Sequence, residues 1–287
     1  MQPVKQVSVR FRPLDLNDTI SESSQLVLTH ALVFLGAMLF TNLPLLLWQV
    51  LALTQPSQWM VPPRYSSVRD IDTVASVILR SLDGFDIRLA ASTAVSFLVG
   101  LWQSGTATRV ASRCYFGHAV GVAESATEAW TRMPSLLVGG AAPAGFVTLA
   151  GWLSTKDVAG IAACAILLLV TYPFWLFVTP AVMNEGLGGI AALRRSARLA
   201  AHAYGHVLAV WLVLELLLFL ASLMPFFMIG LVGAASDSAQ TNRIATVLLG
   251  NLAAFVIVPF RMTVIALLYY DVRRRKEGRA SVLRACD

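Results

Sequence analysis

The chain has 287 residues, of which 57% are hydrophobic and 13% are charged, and its formal net charge is +6. With a mean hydropathy of +0.69, this composition excludes an ordinary soluble globular protein, because too few polar residues remain to cover its surface. Net basicity can indicate nucleic-acid binding, but in a hydrophobic chain basic loops are first of all topology signals. We therefore predict an integral membrane protein without a nucleic-acid partner.

Six apolar segments of roughly 20 residues or more follow one another along the chain. They are residues 29–53, 87–107, 134–153, 159–180, 204–232 and 244–270. Each is long enough for a helix to cross a bilayer. No linker rich in Gly, Ser or Pro divides the series, so we predict one transmembrane domain over 1–287. Its fold class is all-α, a polytopic bundle of about six transmembrane helices.

The Lys and Arg residues are divided unevenly between the two sides of this bundle. Fifteen of the 22 fall on the side of the termini, six fall in the opposite loops, and Arg261 lies inside the sixth segment. Because cytoplasmic loops are enriched in Lys and Arg, we predict that both termini are cytoplasmic, in a bacterial inner membrane. The tail at 1–28 and the basic tail at 271–287 would then be cytoplasmic, and the loop at 54–86 extracytoplasmic. Within that loop, apolar residues at helical spacing from 71 to 82 predict a short amphipathic helix.

A polar segment with helical periodicity precedes the first, third and fifth apolar segments, at 15–29, 119–133 and 187–204. In the last of these, apolar residues predict one helix face and basic residues predict the other. The apolar face comprises Leu187, Ile190, Leu193, Ala197 and Ala201, and the basic face comprises Arg194, Arg195, Arg198 and His202. We predict that the three segments are amphipathic helices in the membrane interface. An interfacial helix followed by a helical hairpin would occur three times, which suggests three hairpin repeats.

Spans four and six share a second pattern. Each has a Pro-Phe pair near its middle, at 173–174 and 259–260, and an acidic residue, Glu185 or Asp271, follows eleven residues after the phenylalanine. This echo adds to the evidence for internal repeats. Repeats of this kind occur in transporters, with a binding site between them.

Two charged residues lie inside apolar segments, Glu215 in the fifth and Arg261 in the sixth. Counted from the cytoplasmic ends of their helices, both lie roughly 14–17 Å deep. An unpaired charge at that depth costs about 2.5–3.5 kcal/mol or more, so we predict that the two side chains pair. Such a pair either registers two helices or forms a functional site, as a proton relay or a clamp for an anionic substrate. The sequence leaves both interpretations open.

The remaining reactive residues form no motif. Cys114, Cys164 and Cys286 are far apart and lack CxxC or Cys/His spacing, which predicts neither a disulfide framework nor a zinc site. His202 and His206 share a helix face, but no third ligand accompanies them, so we predict no metal and no cofactor. The sequence contains no nucleophile or phosphate-loop motif. We therefore predict no enzymatic activity and no catalytic residue.

Three stretches resemble a known family. They are residues 180–186 (PAVMNEG) with 192–199 (ALRRSARL), residues 269–278 (YYDVRRRKEG), and the opening 11–20 (FRPLDLNDTI). Together they resemble the polytopic family known as the glycerophosphoryl diester phosphodiesterase membrane domain, with Asn17-Asp18 where Gly-Glu is usual. Its members are mostly uncharacterised bacterial inner-membrane proteins, and the name comes from fusion to a soluble phosphodiesterase barrel. This chain has no room for that barrel and lacks its His/Glu metal-binding motifs, so the resemblance implies a membrane domain without phosphodiesterase activity.

The carboxylates in these stretches, Glu185 and Asp271, fall near the cytoplasmic ends of spans four and six. We predict that they are structural, and that they pair with nearby arginines to tie the interfacial helices to the bundle. Arginines at the level of the headgroups also contact anionic lipid or a partner. For that role we predict Arg194, Arg195, Arg198, Arg273, Arg274 and Arg275.

Two functions fit these features. The first is a non-catalytic subunit or scaffold in the inner membrane that binds membrane lipids or other membrane-protein subunits. The alternative is a carrier for a lipid or a small amphipathic anion, with Arg261 as the clamp and Glu215 as its counter-charge.

Overall fold

The structure is a computed structural model that describes residues 14–54, 87–154, 158–236 and 238–278. All regular structure in these ranges is helical. The helices are α1 (Leu16–Thr29), α2 (Ala31–Thr54), α3 (Ile87–Tyr115), α4 (Val122–Thr131), α5 (Met133–Ser154), α6 (Val158–Thr171), a 3₁₀ turn (Tyr172–Trp175), α7 (Val178–Glu185), α8 (Gly189–His202), α9 (Tyr204–Ala235) and α10 (Ala239–Glu277). The loop at 55–86, with its predicted amphipathic helix, and the tails at 1–13 and 279–287 lie outside the described residues.

The predicted all-α fold class is confirmed, and the described residues include helices that suit a membrane. Four helical segments are long and apolar enough to span one: Ala31–Gln49, Ala162–Glu185, Tyr204–Ala235 and Gln240–Glu277. Helices α3 and α5, predicted as spans two and three, are not among these four, so the count of about six remains a prediction. Large apolar side chains such as Phe219 and Phe226 are exposed on α9, as expected of a surface that faces lipid.

Each of the three predicted interfacial segments contains a helix, namely α1, α4 and α8. On α8 the buried face differs from the predicted apolar face. The buried residues include Ala192, Ser196, Leu199 and Ala200, whereas Ile190 is 61% exposed. Small residues are buried because α8 approaches α5 very closely: a Cβ added at Gly189 would lie 2.6 Å from the backbone nitrogen of Gly139. The bulkier Ile190 remains on the flank of the helix.

Span four is interrupted near its middle by the 3₁₀ turn that separates α6 from α7. Pro173 lies in this turn, and proline removes a backbone donor and crowds the preceding helical turn. The hydroxyl of Ser196 on α8 satisfies two backbone groups there. It donates to the carbonyl of Phe174 at 2.6 Å and accepts from the N–H of Phe177 at 3.0 Å. Helix α8 therefore stabilises the break.

The second Pro-Phe pair has a different structural role. Helix α10 continues through Pro259 without interruption. Every residue from Thr263 to Arg273 of α10 is buried, packed against α1, α2, α3 and α9. The two Pro-Phe pairs are therefore not structurally equivalent, because one lies at a break and the other within a continuous helix.

Side-chain amides join α2, α3 and α10. Asn42 donates to Asn251 at 2.7 Å and accepts from Gln103 at 2.9 Å, and Asn251 donates to Gln49 at 2.8 Å. The first three of these residues are buried. Because a buried amide is costly without partners, the network fixes the rotation of the three helices.

Replacing Asn42 with leucine should lower the free energy of unfolding by about 1–2 kcal/mol, because Asn42 makes two of these hydrogen bonds. Thermal unfolding in one fixed detergent would measure the loss. The matched variant Gln49→Leu removes a single, half-buried partner and should cost less. An Asn42→Leu protein as stable as the wild type would contradict this role of the network.

Candidate functional site

The two intramembrane charges predicted to pair are in contact. Nη2 of Arg261 on α10 lies 2.5 Å from Oε1 of Glu215 on α9. The same nitrogen donates to the hydroxyl of Tyr172 at 2.7 Å. Trp211 Nε1 donates to Glu215 Oε1 at 3.1 Å. Four side chains from three segments therefore form one polar cluster within apolar helices.

Tyr172 and Trp211 were not predicted as members of this cluster. Trp211 lies four residues before Glu215 on α9, a spacing that places both on one face, so the sequence contains a signal for it. Tyr172 begins the 3₁₀ turn, and its ring stacks on that of Trp211 with centroids 4.9 Å apart. Its position depends on the break in span four, for which Pro173 is a local signal, but the equivalent Pro259 interrupts no helix, so proline alone does not identify the break.

Arg261 lines a cavity of about 600 Å³ between α3, α5, the broken span four and α10. Most of the lining is apolar, and its hydroxyl groups belong to Ser96, Ser104, Tyr172 and Thr179. The Nε of Arg261 is buried and has no hydrogen-bond partner among the described residues. Leaving a buried donor unpaired costs about 1–3 kcal/mol. An acceptor that reached this nitrogen after a small shift of the side chain would remove the cost.

Two glycines mark open and packed parts of the cavity wall. A Cβ added at Gly100 on α3 would meet nothing within 4 Å, whereas one added at Gly140 on α5 would lie 3.1 Å from Leu101 Cδ2. Gly100 therefore borders open volume, and Gly140 belongs to the contact between α3 and α5. A larger side chain at position 100 would occupy the cavity with little disturbance of the packing.

A second charged cluster lies where the helix ends meet. Arg195 of α8 donates to both carboxylate oxygens of Glu185, at 3.0 to 3.2 Å, and also pairs with Glu277 of α10. Tyr269 donates a hydrogen bond to Oε1 of Glu185, and Nη1 of Arg273 lies 3.4 Å from that oxygen. Burial disfavours the charged form of Arg195, yet its hydrogen bonds to Glu277 and Glu185 together raise its pKa above the ordinary value. The cluster connects an interfacial helix to the bundle.

Asp271 holds Leu14, two residues before α1 begins. Its Oδ1 accepts from the N–H of Leu14 at 3.0 Å, and its Oδ2 accepts from Arg275 Nε at 2.7 Å. Arg275 also donates to the carbonyl of Leu14 at 2.8 Å, so one ion pair binds both backbone groups of a single residue. Arg274 lies 3.1 Å from Oδ1, and His206 Nε2 lies 3.6 Å from Oδ2.

The six arginines predicted to contact lipid or a partner divide into two groups. Arg195, Arg273, Arg274 and Arg275 form ion pairs with Glu185, Asp271 or Glu277. Arg194 and Arg198 are exposed on α8 and have no ion pair among the described residues. Contact with lipid or a partner remains a prediction for all six.

Ion pairs also attach α4 to α3, and the sequence analysis did not predict them. Arg109 binds Glu128 at 2.7 Å, and Arg113 binds Glu124 at 2.6 Å. The hydrogen bond from Arg113 lowers the pKa of Glu124. The sequence contains a signal for this contact. Two arginines lie four residues apart on α3, and two glutamates lie four residues apart on α4, so each pair shares a helix face. Arg132 further donates to two carbonyls at the end of α7, at 2.6 and 2.7 Å.

Within the described ranges, no group of three or more His, Cys, Asp or Glu residues is placed to hold a metal ion. His202 is exposed, whereas His206 faces Asp271. The predicted shared helix face is therefore wrong, because α8 ends at His202 and His206 belongs to the next helix, α9.

No protein-family model, curated protein or solved structure matches this chain. The family resemblance of the three short stretches remains a prediction. The function has to be argued from the residues around Arg261.

Proposed function

We propose that this protein binds an amphipathic anion inside the membrane, with Arg261 as the principal ligand-binding residue. The observation that carries the proposal is that Arg261, whose buried Nε has no hydrogen-bond partner among the described residues, lines a cavity of about 600 Å³. This volume lies within the range of small-molecule sites. Charged residues inside membrane segments commonly mark substrate or ion pathways.

The lining of the cavity indicates the class of ligand. Apolar residues such as Phe97, Leu101 and Ile265 suit a hydrocarbon chain, whereas Arg261 and the neighbouring hydroxyls suit an acidic headgroup. A guanidinium binds carboxylate or phosphate through parallel N–H groups. Glu215 pairs with Nη2 of Arg261, which balances the charge of the guanidinium when no ligand is bound. A lipid or small amphipathic anion meets both requirements.

The interruption of span four favours a carrier over a static binding protein. Transporter sites are typically formed by discontinuous transmembrane helices, because irregular backbone is tolerated where it lines a cavity. Here the 3₁₀ turn contributes Tyr172 and Trp175 to the cavity, and Tyr172 binds Arg261. A movement at the break would therefore change the position of the ligand-binding residue.

Arg261→Lys should weaken binding of decyl phosphate by about thirtyfold while the protein still folds. Lysine retains the charge but lacks the planar guanidinium fork that binds an acidic headgroup through parallel N–H groups. Native mass spectrometry of the full chain in a mild detergent would measure binding, with decanol as the uncharged comparison. Unfolding temperatures of both proteins would show that the fold survives.

A second pair of variants tests the cavity from its opposite wall. Gly100→Leu should also reduce decyl phosphate binding, because it fills volume that the ligand needs. Gly145→Leu is the matched control, since a Cβ added there likewise meets nothing within 4 Å and Gly145 is not among the described lining residues. Unchanged binding by both Arg261→Lys and Gly100→Leu would refute the proposal.

The subunit or scaffold hypothesis makes a different prediction. If the charged pair only registers α9 and α10, the double variant Glu215→Gln with Arg261→Met should retain function as long as it folds. A stoichiometric protein partner retained after mild extraction from the source membrane would favour that hypothesis. A bound lipid or small anion, without a protein partner, would favour the carrier.

We further propose that the protein resides in a bacterial inner membrane with both termini in the cytoplasm. The support is the distribution of Lys and Arg between the loops. A C-terminal fusion to a reporter that is active only in the cytoplasm should be active. We also propose that the chain belongs to the family known as the glycerophosphoryl diester phosphodiesterase membrane domain and has no phosphodiesterase activity.

A further inference from the structure

Three of the four residues predicted for the basic face of α8 point away from the bundle, whereas Arg195 turns toward Glu185 and Glu277. Arg194, Arg198 and His202 follow one another at intervals of four residues, and all three are exposed. The opposite face is packed against the bundle through buried residues such as Ser196 and Leu199. Because Ser196 is also hydrogen-bonded to span four, the orientation of α8 is fixed.

The charges on this face are not neutralised by the carboxylates around it. Glu185 and Glu277 pair with Arg195 and Arg273, and Asp271 pairs with Arg274 and Arg275. None of the ion pairs among the described residues involves Arg194, Arg198 or Lys276. Lys276 Nζ donates to the carbonyl of Arg198 at 3.0 Å, which places a third positive charge beside it.

The position of α8 along the chain places this face at the edge of the bilayer. One candidate span ends at Glu185 and the next begins at Tyr204, so α8 lies between two helices that cross the membrane. Ile190, one turn before Arg194, is 61% exposed. A helix with exposed apolar and basic residues side by side suits the boundary between acyl chains and headgroups.

We infer that Arg194, Arg198 and Lys276 form a docking site for the phosphate headgroups of anionic phospholipids. Arginine binds phosphate through parallel N–H groups, and basic residues near a membrane surface attract anionic lipid. The site contains no residue of the Arg261 cavity, so it is independent of the proposed ligand there.

The test compares retention of phosphatidylglycerol and phosphatidylcholine with identical acyl chains, added in equal amounts to the full chain in a mild detergent. Native mass spectrometry counts the lipids that stay bound. The wild type should prefer phosphatidylglycerol, and Arg194→Gln with Arg198→Gln should weaken that preference by about tenfold. The preference of the wild type should also fall as salt is added.

The matched control is Arg88→Gln with Arg243→Gln, which removes the same charge near the N-terminal ends of α3 and α10. The C-terminal parts of α3 and α10 meet where the rings of Tyr115 and Tyr270 stack, with centroids 6.0 Å apart. The N-terminal ends that carry Arg88 and Arg243 therefore lie at the other end of the bundle. The control should keep the preference, and both double variants should unfold at the wild-type temperature. Decyl phosphate binding should be normal in the α8 variant, which separates this site from the Arg261 cavity. The inference is overturned if the α8 variant still prefers phosphatidylglycerol, which is the result expected if this face binds a soluble acidic partner instead. It is also overturned if the control variant loses the preference equally.

Discussion

Replacing Asp271 with alanine should lower the free energy of unfolding by about 3–5 kcal/mol. The side chain is 0% exposed and accepts hydrogen bonds from Leu14, Arg274 and Arg275. Alanine would remove the acceptor of the Arg274 and Arg275 guanidinium groups and of the Leu14 N–H. A donor that loses its acceptor away from water destabilises the folded state. Helix α1 would also lose its attachment to α10.

Thermal unfolding in detergent would measure the loss, and hydrogen exchange at 16–29 would show whether α1 is released. Asp271→Asn keeps an acceptor for Leu14 but removes the charge, so its effect should be intermediate. Glu124→Ala is the matched control, because Glu124 pairs with Arg113 but its side chain is 63% exposed. Solvent screens such a pair, and its removal should hardly change stability. Equal losses at Asp271 and Glu124 would show that burial does not determine the effect.

Gly189→Ala should destabilise the protein by about 3 kcal/mol. The added Cβ would lie 2.6 Å from both the backbone nitrogen of Gly139 and the carbonyl oxygen of Ser135. Backbone atoms cannot rotate away as a flexible side chain can, so α8 would have to move off α5. That movement would also pull Ser196 from the break in span four, and binding in the Arg261 cavity should weaken as well.

The neighbouring glycine provides a direct control for this prediction. Gly188 has an ordinary φ of −65°, and a Cβ added there meets nothing within 4 Å. Because Gly188 is also the N-cap of α8, where alanine is less favourable than glycine, Gly188→Ala should cost at most about 1 kcal/mol. Unfolding temperature and detergent-resistant yield would compare the two variants. A Gly189→Ala protein as stable as Gly188→Ala would disprove the close approach of α5 and α8.

Several features of the fold could be predicted because they depend on short-range patterns. The length of apolar segments predicts α2, α9 and α10, and helical periodicity predicts α1, α4 and α8. The contact between Glu215 and Arg261 could also be anticipated, because both lie at similar depth on consecutive spans and an unpaired charge there is unfavourable.

Other features were decided by contacts between distant residues. The side chain of Ile190 fits the predicted apolar face of α8, yet small residues are buried instead, because two glycine backbones meet there. Four of the predicted lipid-contacting arginines bind carboxylates that the fold brings within reach. In the same way, Leu14 meets Asp271 across almost the whole length of the chain.

By itself, the sequence determined that this is an all-α protein with helices suited to a membrane, and it identified the charges that need partners. Only the tertiary structure decided that Arg261 borders a cavity, that Tyr172 joins it, and which arginines remain exposed. The physical reason is that apolar length and helical period are properties of neighbouring residues. Cavities, helix breaks and close backbone contacts arise where helices far apart in the sequence pack against one another.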